Sequence, residues 1–424
     1  DRQGSGLVST AATLLAAFLV LAMFYDVALP NLGTALAINY LTYYVLLVVL
    51  VFLGGAARVL ALRRHPKPLR AYKARILGIP ASWIFLFIIG WMIAATLLVG
   101  PDKGPRLFKI GELCLMVAVG LASADVYRLS GDAAFLRILR ALALAIAILA
   151  TLSLVLDLTF QSKFEGNLVP GFMHIRIFGF SLAVAIAIAT AGLAFSGPGS
   201  VHRSGLIGLL ILLWTILFWT ASRGGIAGVI LTTLLAAVFI APLRNVAFPW
   251  TAALLVGFLL SLAIPGGGDA GTLTVFDHEM TADSLAAGRL QLWSGVIELV
   301  AARPFTGHGY AQFNGLMSGY DHALSKFSHA HNVLLESLLS VGVPGTIILF
   351  FAAVAVWVRW LLSVRDHVTE TRLAAFLVVS ALYAYALVDG VYFYPQSLMY
   401  FAVAAGVLSV ASPGNGPARR RDLR

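Results

Sequence analysis

Two histidines and an asparagine form the most chemically suggestive stretch of the sequence, His329-Ala330-His331-Asn332, directly before a long apolar run. A histidine that titrates near neutral pH at the edge of a membrane is suited to general-base catalysis, and His331 is the residue we favour. The i, i+2 spacing puts the two imidazoles on different sides of a helix, so joint metal ligation requires an extended turn. In the structural alternative, Asn332 caps a helix and the histidine beside it fills the turn.

Two arginines elsewhere in the chain have the chemistry to hold an anion. Arg223 lies in Thr-Ala-Ser-Arg-Gly-Gly (residues 220–225), where the first N–H groups of a helix, a guanidinium and close-approach glycines together suit a phosphate. The alternative is that Arg223 extends to lipid headgroups. Arg289 lies in Gly-Arg-Leu-Gln-Leu-Trp (residues 288–293), and periodicity alone favours the solvated edge of a helix. A second arginine above the membrane would nonetheless suit a diphosphate.

Metal and thiol chemistry have less support. Asp277, Glu279 and Asp283 are acidic residues that could bind a divalent ion beside His278, but no tight carboxylate cluster is visible. We therefore predict no metal and no cofactor. The single cysteine, Cys114, lies in an apolar run and offers neither a disulfide framework nor a cysteine metal site.

Membrane helices must position these side chains. The 424 residues are 60% hydrophobic and 11% charged, with a mean hydropathy of +0.91, which is too apolar for a soluble globular chain. Apolar runs of about 20 residues recur from end to end. We predict an all-α polytopic membrane protein with about twelve transmembrane helices. The predicted spans are 7–29, 34–60, 79–99, 110–127, 141–160, 175–195, 205–221, 225–241, 246–264, 332–358, 373–389 and 397–412.

The distribution of basic residues predicts the topology. With the N-terminus inside, the inner segments hold most of the Lys and Arg, including residues 63–75 and the tail, so both termini are predicted to be cytoplasmic. The net charge of +10 then reflects topology, and no nucleic-acid partner is expected. The predicted organisation is transmembrane helices 1–9 (residues 1–264), a periplasmic loop (265–331), transmembrane helices 10–12 (332–412) and a basic cytoplasmic tail (413–424).

The long outer loop, residues 265–331, is predicted to be ordered because of its aromatic and apolar content. A helix is expected from about Asp283 to Ala302, capped by Asp283 or Ser284. Its apolar face is predicted to lie on the membrane. That face comprises Leu285, Leu292, Val296 and Leu299.

Taken in order, these motifs resemble the O-antigen ligase and polymerase superfamily of bacterial envelopes. The resemblance rests on Ser-Arg-Gly-Gly (222–225), Gly-Arg-x-x-x-Trp (288–293), Arg-Pro-x-x-Gly-x-Gly-Tyr (303–310), and His-Ala-His-Asn (329–332) followed by Leu-Leu-Glu and Gly-x-Pro-Gly. Their order and spacing are more specific than any one fragment. The resemblance covers residues 205–350 closely. In addition, Arg-Ile-Phe-Gly at 176–179 is similar to an Arg-x-x-Gly element of these proteins.

The resemblance implies an inner-membrane glycosyltransferase that takes a glycan from an undecaprenyl diphosphate donor at the periplasmic face, with inversion and without a metal. Arg223 and Arg289 would hold the donor diphosphate and stabilise it as it leaves. His331 would accept the proton of the acceptor hydroxyl, with His329 the less favoured of the pair. Further contacts with substrate would come from Arg176, His329, Asn332, Arg303, Ser222 and Gly224.

Three different acceptors are compatible with this donor chemistry. Transfer to the lipid A core is our first choice, followed by polymerisation onto a second undecaprenyl-linked glycan, and then by transfer to a protein hydroxyl. A lipid-linked glycan flippase or transporter is the alternative from another class. It is disfavoured because Asp157 and Asp389 fall near the outer ends of their spans, whereas transporters usually place ionisable residues near the midplane. Membrane lipids are expected partners in every case.

Overall fold

The described part of the chain is almost entirely helical, as the composition predicts. In the computed structural model the exception is an antiparallel pair of two-residue strands, β1 (Arg75–Ile76) and β2 (Ile79–Pro80). The structure describes residues 75–76, 79–98, 103–160, 175–265, 282–320, 327 and 329–410.

Thirteen α-helices and one 3₁₀ turn make up this part of the chain. They are α1 (Ala81–Leu98), α2 (Lys103–Ser130), α3 (Asp132–Phe160), α4 (Ile175–Phe195), α5 (Val201–Trp219), α6 (Arg223–Phe239), α7 (Ala241–Arg244), α8 (Ala247–Leu262), α9 (Ala282–Ala302), α10 (Phe313–Tyr320), α11 (Val333–Asp366), α12 (Glu370–Ala386), the 3₁₀ turn Val391–Phe393 and α13 (Pro395–Ser409).

Every predicted span from 79–99 onwards corresponds to a helix. Within the described residues, five helices are long and apolar enough to cross a membrane, so the protein is a multi-pass membrane protein. The spans predicted at 7–29 and 34–60 lie outside the described residues, and the count of twelve stays a prediction.

Two helices, α4 and α12, form the centre of the bundle. α12 packs against α4, α6 and α13, and most of its residues are buried. In the most apolar stretch of α4, 94% of the residues are likewise buried. Lipid could cover an apolar helix equally well, so it is this burial by other helices, and not the apolar sequence, that places the two in the interior.

Polar contacts fix the N-terminal end of α12. Arg140 makes a bidentate ion pair with Glu370, with an Nη2–Oε2 distance of 2.8 Å. Arg372 donates from Nη1 to the carbonyl oxygen of Val410 at 2.8 Å, which ties α12 to the end of α13. The C-terminal end of α12 therefore lies at the opposite end of the bundle.

Helix α9, in the long loop, corrects two predictions. It begins at Ala282, so Asp283 and Ser284 lie within its first turn instead of capping it. Leu292 and Val296 are fully buried against Phe313 and Met317, so the described part of this face packs on protein and not on the membrane, while the side chain of Leu285 lies outside it. The prediction was wrong because an apolar helical stripe shows that something covers it but not what covers it.

Helix α11 is interrupted at Gly342, whose φ of 70° is accessible to glycine at little cost. The turn after α9 bonds to the backbone exposed by this interruption. The N–H of His308 donates to the carbonyl of Leu339 at 2.7 Å, and the N–H of Val343 donates to the carbonyl of Pro304 at 2.7 Å. These bonds lock the loop onto the first half of α11.

Candidate active site

A short segment at the C-terminal end of α12, residues 385–390 (Tyr-Ala-Leu-Val-Asp-Gly), is where the separate motifs meet. We call it the 385–390 segment. It lies between the N-terminal ends of α6 and α11 and under α9. Residues far apart in sequence are brought together there by contacts to its backbone and side chains.

The Ser-Arg-Gly-Gly motif reaches this segment through Ser222 and Gly224. The Ser222 hydroxyl lies 2.7 Å from the Tyr385 hydroxyl. A Cβ on Gly224 would lie 3.1 Å from the Val388 side chain and closer still to the ring of Tyr385, so only glycine permits this approach. Arg223 is the first residue of α6 and its side chain is exposed, so it lies at the end of the helix where the first backbone N–H groups are.

The Gly-Arg-x-x-x-Trp motif places two hydrogen-bond donors on one face of α9, since residues four apart are neighbours on a helix. Arg289 donates from Nη1 to the carbonyl of Val388 at 3.2 Å. Trp293 donates from Nε1 to the carbonyl of Ala330 at 2.9 Å. The guanidinium has five N–H donors, so this bond and the recognition of a phosphate are compatible. The solvated-edge interpretation of Arg289 is therefore incomplete, because the residue docks on the 385–390 segment.

The histidine motif meets the same segment at Asp389. His331 Nδ1 lies 2.9 Å from Asp389 Oδ1, whereas His329 Nε2 lies 3.9 Å from that oxygen, beyond hydrogen-bonding distance. The N–H of Gly390 donates to Asp389 Oδ1 at 2.7 Å. A carboxylate on Nδ1 holds the proton there and leaves Nε2 as the acceptor, which is the tautomer a general base needs.

A tight turn presents the two histidines side by side. His331 has a φ of 51°, which is uncommon for a residue with a Cβ and persists only where surrounding contacts hold it. Those contacts hold the preceding residue, the buried Ala330. Its carbonyl accepts a hydrogen bond from Trp293, and its N–H donates one to Glu336 Oε2 at 3.0 Å. The expectation that the imidazoles point apart applied to a helix; in this turn their ring centroids are 4.1 Å apart.

Asn332 caps α11, as the structural alternative proposed. Its side-chain oxygen accepts from the N–H groups of Leu334 and Leu335, at 2.9 and 3.2 Å. Its Nδ2 also donates to the carbonyl of Leu387 at 3.0 Å. One side chain thus fixes both the start of α11 and its position against the 385–390 segment.

A cavity of about 1090 Å³ opens beside this cluster. Its wall contains His329, His331 and Asp389, and it extends along α11 as far as Trp357. Most of the wall is apolar, with side chains such as Met116, Leu121, Phe350 and Val354. The cavity therefore joins a polar end, where proton transfer is feasible, to a long apolar surface.

A few polar side chains interrupt the apolar wall. Lys109 and Glu112 form an ion pair of 3.0 Å, and Asn314, Tyr310 and Glu336 also line the cavity. Burial, followed by the nearby carboxylates of Glu112 and Glu336, raises the pKa of Tyr310 well above its ordinary value. This phenol stays protonated and is a neutral hydrogen-bond donor to whatever occupies the cavity.

Of the residues predicted to contact substrate, Arg303 is not joined to this cluster by the described contacts, and the side chain of Arg176 lies outside the described part of the structure. Arg303 follows α9 with an exposed side chain, and a helix rises 1.5 Å per residue, so it lies about 20 Å along the axis from Arg289. Arg176 lies in α4, one turn before Gly179. A Cβ on Gly179 would overlap the Ser222 hydroxyl, so this part of α4 is close to the Ser-Arg-Gly-Gly motif.

Sequence reasoning missed Asp389 and Glu336 as parts of the site. Asp389 was noted near the outer end of a span but was used only against a transporter. The available signal was an acidic residue at the edge of an apolar helix, which is costly unless it is paired. Glu336 was quoted within a motif without a role, and its position four residues after Asn332 places it one turn into α11.

Comparison with known proteins addresses the resemblance directly. Residues 208–350 match the O-antigen ligase family. This O-antigen ligase region, 208–350, runs from α5 into α11 and contains Arg223, Arg289 and His331. The predicted resemblance is confirmed over that region. The 385–390 segment, onto which the motifs of the O-antigen ligase region converge, lies beyond it.

A curated relative matches part of the same chain. It is a general O-oligosaccharyltransferase from Acinetobacter baylyi, 30% identical over 126 residues. The alignment covers 28% of this chain and 20% of the relative, so the chain spans about a fifth of that protein's length. The acceptor that the relative's name indicates is a property of that protein.

The Trp293–Ala330 bond leads to a first prediction. Trp293→Phe keeps the aromatic ring but removes the indole N–H, which leaves a buried carbonyl unpaired at a cost of about 1–3 kcal/mol. The His329–His331 turn should loosen, and any transfer reaction that depends on His331 should slow by about tenfold, since each 1.4 kcal/mol corresponds to a factor of ten. The comparison is of kcat/KM for purified wild type and variant.

Trp250→Phe is the matched control. Trp250 donates from Nε1 to the Thr190 hydroxyl at 3.0 Å, within the bundle and away from the histidines. Both variants lose one indole bond and should lose similar stability, but only Trp293→Phe should lose rate. Equal losses of rate would show that Trp293 acts through stability alone.

Proposed function

We propose that this protein is a membrane glycosyltransferase that moves a glycan from an undecaprenyl diphosphate donor to an acceptor hydroxyl at the periplasmic face. The observation that carries the proposal is the His331–Asp389 pair, with Arg289 bound to the residue immediately before Asp389. A base for an alcohol and a cation for a leaving phosphate thus contact one short segment. The match of residues 208–350 to the O-antigen ligase family supports this choice.

The reaction is an inverting displacement. The acceptor oxygen attacks the anomeric carbon as its proton passes to His331 Nε2, and the bond between that carbon and the diphosphate oxygen breaks. The diphosphate leaves with the bonding electrons, so negative charge develops where Arg223 and Arg289 stabilise it. Asp389 stabilises the imidazolium that forms on His331. No metal is required, because the arginines supply the positive charge.

The cavity fits an elongated lipid-linked substrate. Its apolar length along α11 suits a prenyl chain, and its polar end lies at His331 and Asp389. The prenyl chain would enter from the outer leaflet between helices. The basic side chains Arg140 and Arg372 lie at the far end of α12, which agrees with the predicted cytoplasmic side.

Two acceptors deserve direct comparison. Lipid A core is the acceptor we place first. A protein hydroxyl is the second candidate, favoured by the similarity to a general O-oligosaccharyltransferase. Both reactions use the same donor, base and arginines, so only an assay with each acceptor distinguishes them.

The test supplies purified protein with an undecaprenyl diphosphate-linked glycan of several repeat units. Core-lipid A, a second prenyl-linked glycan and a serine-containing acceptor protein are offered separately, with His331→Ala alongside. Glycan should appear on lipid A with wild type and not with the variant. Glycan found only on the protein, or only as a longer prenyl-linked chain, would assign the acceptor differently. Transfer to none of the three would contradict the proposal.

A further inference from the structure

His329, His331 and Asp389 form a cluster with the composition of a transition-metal site. One ring nitrogen from each histidine and a carboxylate oxygen of Asp389 all lie within 4.8 Å of one another, and all three residues are buried. The His331 Nδ1 to Asp389 Oδ1 distance is 2.9 Å, and the His329 Nε2 to Asp389 Oδ1 distance is 3.9 Å.

These distances suit Zn²⁺ in particular. Zinc binds histidine nitrogen and carboxylate oxygen at about 2.0–2.2 Å, so two ligands of a tetrahedral ion lie about 3.3 Å apart. The two separations from Asp389 Oδ1 fall on both sides of that value and all the ligand atoms lie within 4.8 Å of one another, so rotations of the side chains would close the site. Mg²⁺ fits poorly, since it prefers oxygen ligands in an octahedron.

The cluster is held in place before any ion arrives. A Cβ on Gly390 would overlap the imidazole of His329, so this ring lies directly on the glycine backbone. His331 is fixed through Ala330, which Trp293 and Glu336 hold from either side. All three side chains line the cavity, from which a water molecule can supply the fourth ligand.

We propose that His329, His331 and Asp389 bind one Zn²⁺ ion and that this ion inhibits the transfer reaction. The inhibition rests on the proposed function, whereas the binding of zinc does not. A neutral imidazole has one proton, so zinc on Nδ1 of His331 leaves that proton on Nε2. Nε2 then donates a hydrogen bond instead of accepting a proton, and the base is lost. Zinc also takes the Asp389 carboxylate that stabilises the imidazolium.

Binding is measured first, by titrating Zn²⁺ into metal-free wild type in lipid nanodiscs and following the heat. One ion per chain should bind. His329→Gln and Asp389→Asn should each weaken binding by at least about tenfold, because even residues that only support a metal ligand are typically worth 10–100-fold. His202→Gln, which alters an exposed histidine on α5, should bind like wild type. Mg²⁺ at equal concentration should not compete.

Weak binding to wild type, or tight binding that survives in both His329→Gln and Asp389→Asn, would overturn the site. The same protein is then assayed for transfer with Zn²⁺ added, and the rate should fall as the site fills and recover with a chelator. Transfer that continues with the site full would overturn the inhibitory role. Transfer that needs zinc would overturn it too, and with it the metal-free reaction. Zinc binding by a protein that transfers to no acceptor would uphold the site and contradict the proposed function.

Discussion

Arg289→Ala and Arg223→Ala should each lower the rate of glycan transfer by about 10²–10³-fold, the usual effect of removing one group that stabilises developing negative charge. We propose that the two arginines act on one diphosphate from different helices. Arg223 begins α6, where Gly224 packs on the Val388 side chain, and Arg289 on α9 bonds to the Val388 carbonyl. A diphosphate beside Val388 would therefore lie next to Arg289 and near the end of α6 at which Arg223 stands.

Lysine variants separate charge from geometry. Arg223→Lys and Arg289→Lys keep the positive charge but lose the planar pair of donors that fits a phosphate, so their rates should fall between those of wild type and the alanine variants. Arg244→Ala, at an exposed arginine in the short helix α7, serves as the control and should keep the wild-type rate. Rates are measured with donor in excess and then with donor limiting. Full activity in either alanine variant would remove that arginine from the donor site.

The two alanine substitutions should also be non-additive. Both cations act on one leaving group, so the loss in the double variant should be smaller than the product of the single losses. Strict multiplicativity would indicate that the two arginines act on different groups or in different steps. This comparison tests whether the convergence on Val388 has functional meaning.

The helices themselves are predictable from composition. An unsatisfied backbone group in lipid is so costly that long apolar runs must be helical, and each described run from residue 79 onwards is. What hydropathy does not give is which helices touch. α4 and α12 look like any other apolar span in the sequence, and only the packing of the neighbouring helices against them shows that they form the centre.

The site was predictable one motif at a time. Arg223, Arg289 and His331 each stand out because a charged or titratable residue at a membrane boundary needs a reason. Their meeting place did not stand out, since the 385–390 segment receives Arg289 and Asn332 through backbone carbonyls, which carry no sequence signature. Asp389 was visible as a residue but not as a partner, because pairing it with His331 requires knowing that α12 ends beside the start of α11.

The arrangement of the histidines shows a further limit. Alternation rules place residues i and i+2 apart in a helix and on the same side of a strand, but they say nothing of a turn. Here a positive φ at His331 brings the rings together. A positive φ at a residue other than glycine is rarely indicated by sequence, and it is sustained by the Trp293 and Glu336 bonds to Ala330.

Asp389→Asn should lower the transfer rate by about 10²–10⁴-fold, the range that general-base catalysis typically contributes. Asparagine keeps the size of the side chain but loses the negative charge that stabilises the imidazolium. It can also present its NH₂ group to Nδ1, which favours the tautomer with the proton on Nε2 and so disables the base. His331→Ala should cause a similar loss, and the double variant should be hardly worse than either single one.

The pH dependence distinguishes this role from a merely structural one. The rate should fall at acid pH, where His331 is protonated and cannot accept a proton. Without the Asp389 carboxylate the protonated imidazole is less stable, so the acid limb of the residual rate should move to lower pH in Asp389→Asn. Asp132→Asn provides the comparison, because this carboxylate accepts hydrogen bonds from Tyr127 and Thr369 at the opposite end of α12. Asp132→Asn should reduce stability and leave the acid limb of the pH–rate profile where it is in wild type. If the acid limb does not move in Asp389→Asn either, Asp389 has only a packing role.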